Sequence, residues 1–234
     1  MKRYSLFLLI SFLSFFVSNV YGKRDRTLYP VEWNQISKLA KKNPDSVRAL
    51  IQRFIRPQID TTLTYKERTI AYAGQTYLPE YRGVELTLMD VDNYLEQNNT
   101  DAAKNLLKEI LKKCPLNFHA IDEMLHIIFN ELNDSTKNTS FTKDDLKYYS
   151  HLGSRIMNTI AATGDGSKEH PFDVIAVRDE YLFMFNYLEI EHGSQHLIEG
   201  KIPTDMFDVK GKSKYYGKDS IYFDITRVLE LERI

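Results

Sequence analysis

Gly164-Asp165-Gly166-Ser167 sets a carboxylate between two glycines. On a tight loop such a carboxylate can bind a cation or act as an acid or base. The same residues also spell a helix stop and turn, because glycine takes positive φ freely and aspartate bonds its own backbone two residues on. A calcium loop needs more alternating oxygen ligands than this stretch supplies. The turn is the expected role, and Asp165 is the candidate catalytic carboxylate if the loop does chemistry. His170 and His192 are the imidazoles that would join it as candidate catalytic residues. His192 and His196 stand four apart beside Glu189 and Glu191. Two histidines at that spacing converge on one metal when they lie on a helix. Gly193 and Ser194 argue against a helix there, so solvated histidines on a turn are expected and no metal is assigned.

Cys114 and His119 could form a thiol nucleophile and its base. Cys114, however, falls on the apolar stripe of its helix, where cysteine behaves as a small hydrophobe. His126 reads as a surface residue. The chain has 15 Tyr, 13 Phe and one Trp. Such rings build sugar-binding clefts as well as cores. Most are expected in the core, with Tyr215 and Tyr216 the exposed binding candidates because Lys210 to Lys218 is a polar, glycine-flanked loop. The sequence shows no phosphate-cradling glycine loop, nucleophile elbow or paired metal-binding cysteines, and it calls for no cofactor.

These side chains must be positioned by elements that the sequence also outlines. Met1-Lys2-Arg3, the apolar run Leu6 to Val17 and the small residues up to Gly22 follow the order of a secretory signal peptide. The run is shorter than the roughly 20 residues a spanning helix needs. Cleavage near Gly22 is expected, giving an exported protein, periplasmic or secreted. The leader has no cysteine for lipid attachment, and the mature chain has no segment apolar enough to span a bilayer. Without residues 1–22 the chain carries 29 basic and 32 acidic side chains, a formal charge of −3. That balance excludes a nucleic-acid partner, which needs a clustered positive field. One cysteine forms no internal disulfide, so the core must hold the fold. Asn98, Asn133 and Asn138 head Asn-x-Ser/Thr triplets, a pattern also common by chance in such a chain.

The first two thirds read as helices. Trp33, Ile36, Leu39 and Ala40 keep helical spacing, and Asn43 before Pro44 is a cap followed by a favoured first residue. Thr64 with Glu67 makes a capping box. A helix over Glu85 to Gln97 carries Leu86, Met89, Tyr94 and Leu95. Thr100 is expected to cap the next helix, which carries Ala103, Leu106, Leu107, Ile110 and Cys114. Phe118, Ile121, Leu125, Ile128 and Leu132 form one narrow apolar stripe. Thr142 caps a last long helix, and Gly164 stops it. Beyond it, strands are expected over Phe172 to Val177, Gln195 to Glu199, Asp205 to Val209 and Ser220 to Ile225. Helices are expected over Asp179 to Glu189 and Thr226 to Ile234. Helices first and strands later argue for an α+β fold: an N-terminal helical bundle or short helical-hairpin solenoid, then a small antiparallel sheet. The expected layout is a signal peptide at 1–22, a helical region at 23–163 and a mixed region at 164–234 packed on it as one domain.

Thr87 to Pro115 resembles a tetratricopeptide hairpin, with Tyr94, Ala103, Leu107, Ile110 and Pro115 at that motif's spacings and Val91 where it wants a small residue. Three longer stretches resemble a family of exported bacterial proteins known as domain of unknown function 4919. They are Thr62 to Tyr81, Gly164 to Tyr181 and Ile221 to Ile225. The resemblance implies export and the mixed architecture, and it brings no catalytic residues. The expected function is an exported binding or interaction protein, its partner another envelope or secreted protein or a glycan. The alternative is an exported hydrolase with a carboxylate/histidine site around Gly164 to Gly166.

Overall fold

The computed structural model describes residues 27–136, 138–211 and 213–232; the expected leader lies outside the described residues. Two units make up the chain. One comprises residues 34–156, and the other comprises residues 157–232 together with 27–33. Among the described residues no helix is long and apolar enough to cross a membrane. Helices followed by a small sheet make the fold α+β.

α1 (Trp33–Lys42), whose residues from Asn34 on belong to the helical unit, leads into α2 (Pro44–Phe54), where Asn43 accepts from the Ser46 amide and Pro44 starts the helix. The box at Thr64 and Glu67 opens α3 (Tyr65–Gly74), with both reciprocal bonds made. Gly74 permits a close approach, since a Cβ there would lie 2.9 Å from Val47 Cγ1. Short 3₁₀ turns lead to Gly83 (φ +77°) and α4 (Val84–Glu96). Three residues then connect to α5 (Thr100–Lys113). Asn99 rather than Thr100 is its cap, accepting from the Ala102 amide. Asn117 caps α6 (Phe118–Asn133), and Thr142 with Asp145 caps α7 (Lys143–Thr163), which runs on into the second unit.

Two expectations about helix faces are corrected. On α4 the buried row is Val84, Leu88, Val91 and Leu95, while Leu86 and Met89 are 69% and 62% exposed. The row at i, i+4, i+7 and i+11 is the longer continuous stripe, so it wins the contact with α5. On α6 the stripe is not narrow: His119, Asp122 and Glu123 are buried along with Phe118, Ile121, Leu125 and Ile128. Leu132 is only half-buried.

The second unit holds β1 (Phe172–Asp173), α8 (Val177–Asn186), β2 (Glu191–Ile198), β3 (Thr204–Lys210), β4 (Ser220–Asp224) and α9 (Thr226–Glu232). The strand order is β1-β4-β3-β2. β2, β3 and β4 pair antiparallel, as expected, and β1 adds to β4 in parallel, making the sheet mixed. The strand expected over Phe172 to Val177 shrinks to two residues, because the chain turns into α8 at Val177 while Val174 and Ile175 stay buried. The register Leu197–Asp205–Phe223–Phe172 runs across one face of the sheet. Phe183 of α8 packs on that face, 4.8 Å from the Phe172 ring and 6.3 Å from that of Phe223. Tyr181 of α8 meets Phe207 at 5.5 Å. The aromatic residues of this region therefore serve mainly as its core.

Candidate metal centre

The residues of the Gly164 loop are committed to the turn itself. A Cβ on Gly164 would fall 2.0 Å from the Pro171 carbonyl oxygen, and Gly166 sits at φ +72° against the Phe172 ring. The amides of Asp165 and Gly166 both donate to the His170 carbonyl. Asp165 Oδ1 accepts from the Ser167 amide at 2.8 Å and lies 3.0 Å from Lys218 Nζ. Partial burial works against the charge, but the bonds from Ser167 and Lys218 outweigh it and hold this carboxyl below its ordinary range. His170 contributes its backbone to the same turn and its ring is exposed.

His192 and His196 lie on β2, not on a turn, opposite Val209 and Met206, with a bulge between His192 and Gln195. The His192 ring packs edge-on against Tyr181 and Phe207, and His196 Nε2 is 3.8 Å from Asp208 Oδ2. Asp165 is thus bonded to Ser167 and Lys218 and His192 is packed against aromatic rings, while the His170 ring stays exposed. Tyr216, expected on the surface, is buried, and its hydroxyl donates toward the Gly166 and Ser220 carbonyls. Burial makes these bonds count, because a buried hydroxyl left without a partner is costly. Tyr215 is half-buried with Lys214 Nζ 4.4 Å from its ring centre.

Cys114 is core, as its place on the stripe indicates. Its Sγ lies 3.7 Å from the Glu80 carbonyl oxygen, and burial pushes its pKa up to about 12. A thiol so far from ionising is no nucleophile at neutral pH. His119 turns to other partners.

Those partners form the group of ligand atoms that, among the described residues, could share one ion: Asp92, His119 and Glu123, all within 4.8 Å of one another. Each is placed by a simple rule. His119 and Glu123 stand at i and i+4 on α6, so their side chains lie one turn apart on one face. Asp92 comes from the third turn of α4. His119 Nε2 is 3.4 Å from Asp92 Oδ1 and 3.9 Å from Glu123 Oε1. Zinc held at about 2.1 Å by nitrogen and oxygen needs donors roughly 3.4 Å apart at a tetrahedral edge. The first distance meets that value and the second closes on it with a small side-chain rotation. His119 and Glu123 are buried with side chains 9% and 6% exposed, whereas Asp92 is 45% exposed and forms an open rim. His119 Nε2 makes no hydrogen bond. A buried ring nitrogen in that state carries a desolvation cost that a metal bond would remove. One turn further along α6, His126 Nε2 lies 3.7 Å from Asp122 Oδ2.

The sequence reading missed Asp92 and Glu123. The spacing His119-x-x-x-Glu123 was the legible signal, since it places a nitrogen and a carboxylate together on any helix. Asp92 lies 27 residues away and enters only through the packing of α4 and α6.

No curated protein and no solved structure matches this chain. The family model described as a domain of unknown function (DUF4919) matches residues 35–233. That span takes in both units, from the third residue of α1 to the end of α9. The chain belongs to that family.

Proposed function

We propose that this protein is an exported binding protein whose ligand is a divalent first-row metal ion held by Asp92, His119 and Glu123. The single observation that carries the reading is His119 Nε2, buried, without a hydrogen bond, and aimed between two carboxylates. One imidazole and two carboxylates suit zinc, iron(II), manganese or cobalt rather than copper(I), which prefers sulfur. Three protein ligands leave a fourth position toward the Asp92 rim, where water or a second ligand would complete the coordination. That open position is also what a hydrolase would require, so the catalytic alternative now rests on this centre and not on the Gly164 loop. Export rests on the basic, apolar and small-residue order of residues 1–22.

The test is zinc titration of the chelator-treated chain from Lys23 onward, followed by calorimetry and by cobalt(II) absorption. Binding at one site is expected, with a cobalt spectrum of low coordination number. His119→Ala and Glu123→Gln should abolish it, and His192→Ala with His196→Ala should leave it intact. Equal binding by wild type and His119→Ala would remove the proposal. Protons compete for imidazole and carboxylate, so the affinity is expected to fall as the pH is lowered.

A further inference from the structure

The sheet unit buries carboxyl groups in pairs. Glu180 of α8 is fully buried, and neither of its side-chain oxygens meets a donor. On the sheet face against which α8 packs stands Asp205 of β3, 6% exposed, which acts on Glu180 through its charge and a side-chain hydrogen bond and whose Oδ2 accepts from Gln195 Nε2 at 2.7 Å. Gln195 Oε1 in turn accepts from the Tyr181 hydroxyl at 2.8 Å. The groups that face Glu180 are thus Asp205 from β3 and Asp179 from α8 itself, both acidic, with the neutral Gln195 and Tyr181 behind Asp205. Among the described residues, the charges that act on Glu180 are these two acids. Two ionised carboxyls in such a place would each lose water and repel the other. A proton on one of them supplies the donor that Glu180 lacks and turns repulsion into a strong O–H···O bond.

We infer that Glu180 and Asp205 share one proton, and that this proton docks α8 on β3 and makes the sheet unit a pH-sensitive device, closed in acid and loosened in alkali. Burial, then the charges of Asp205 and Asp179, push Glu180 up to about 9. On the opposite face, register pairs Asp173 with Asp224, and burial followed by the Asp224 charge also raises Asp173 well above its ordinary value. Asp173 accepts from the Val31 amide, and Asp224 accepts from Trp33 Nε1 and the Thr226 amide. These bonds tie the 27–33 segment and α9 to the sheet, and the charge of Glu32 adds to the push on Asp173.

The sign is fixed by linkage. A carboxyl whose pKa is raised on folding binds its proton in the folded state and releases it in the unfolded state. Its contribution to stability is complete below the ordinary value of 4.5 and is lost as the pH rises toward about 9. For one such group the unfolding constant grows by up to about tenfold per pH unit in that window.

The chain has one tryptophan, Trp33, so its fluorescence reports on the sheet unit. Urea unfolding of the purified protein is followed by that signal from pH 5 to pH 9. The wild-type midpoint should fall steadily with pH. Glu180→Gln, which carries its own donor, should flatten the fall and be at least as stable as wild type at pH 9. An unchanged slope in Glu180→Gln overturns the proposal. Should that variant fail to fold, Asp205→Asn makes the same test from the other member. The carbon-13 shifts of the Glu180 and Asp205 carboxyls give a direct readout in the unaltered protein: one of the two protonated at pH 7 supports the shared proton, and both ionised at pH 7 refutes it.

Discussion

The helical unit and the sheet unit both bury ionisable side chains, and they treat them differently. In the helical unit an imidazole faces two carboxylates, and one of those, Asp92, reaches solvent. A ring nitrogen and carboxylate oxygens meet there, and an ion has a way in. In the sheet unit carboxyl faces carboxyl beneath an aromatic layer of Phe172, Phe183, Phe207 and Phe223, and Glu180 has no exposed surface. A proton is the cation small enough to settle that arrangement without displacing the core. The difference teaches that burial alone does not make a site: His119 Nε2 has no hydrogen bond and lies beside a carboxylate that reaches solvent, whereas Glu180 has no exposed surface.

The largest expected effect lies in the sealing layer. Phe183→Ala removes a ring with no exposed surface and should cost about 3–5 kcal/mol in denaturant unfolding. A loss under about 1 kcal/mol would mean that the aromatic layer does not close the sheet unit. Next comes the open centre. Zinc at a hundredfold excess over its dissociation constant should stabilise the wild type by about 2.7 kcal/mol and leave His119→Ala unmoved. A zinc shift that survives His119→Ala but fails in His192→Ala would invert the comparison and place the metal on β2.

Tyr216→Phe should cost about 1–3 kcal/mol, because two carbonyls lose the hydroxyl lying between them. The smallest effect is expected at Asp165. Its bonds to Ser167 and Lys218 are near the surface, so Asp165→Ala should cost about 1 kcal/mol or less and leave zinc binding unchanged. A loss of metal binding in Asp165→Ala would bring the Gly164 loop back as a site.

Legibility followed the range of the interaction. Caps at Asn43, Thr64 and Thr142 were readable because donor and acceptor stand three residues apart. The turn at Gly164 to Ser167 was readable for the same reason. The face of α4 was not, since Leu86 and Met89 satisfy helical spacing as well as Leu88 and Val91 do, and only the neighbouring α5 decides between them. Tyr216 looked exposed because its loop is polar, yet its ring and hydroxyl are fixed by residues 50 positions away and by Ser220. His119 stands close to Cys114 in sequence, and the structure turns it toward Glu123 and Asp92 instead. The acidic residues Asp173, Glu180 and Asp224 were all in view within the stretches resembling the family. Nothing in their spacing announced that they would be buried in pairs.

The sequence by itself determined the helical first part, the later strands, the α+β class, the helix stops and a core held without disulfides. Periodicity, caps and glycine conformations act over a few residues, so they are written in neighbouring letters. Tertiary structure alone decided which helix faces are buried, that β1 joins in parallel, and which carboxylates meet an imidazole or one another. Those outcomes depend on the dielectric and the partners that distant segments bring, and a side chain has neither until the chain has folded around it.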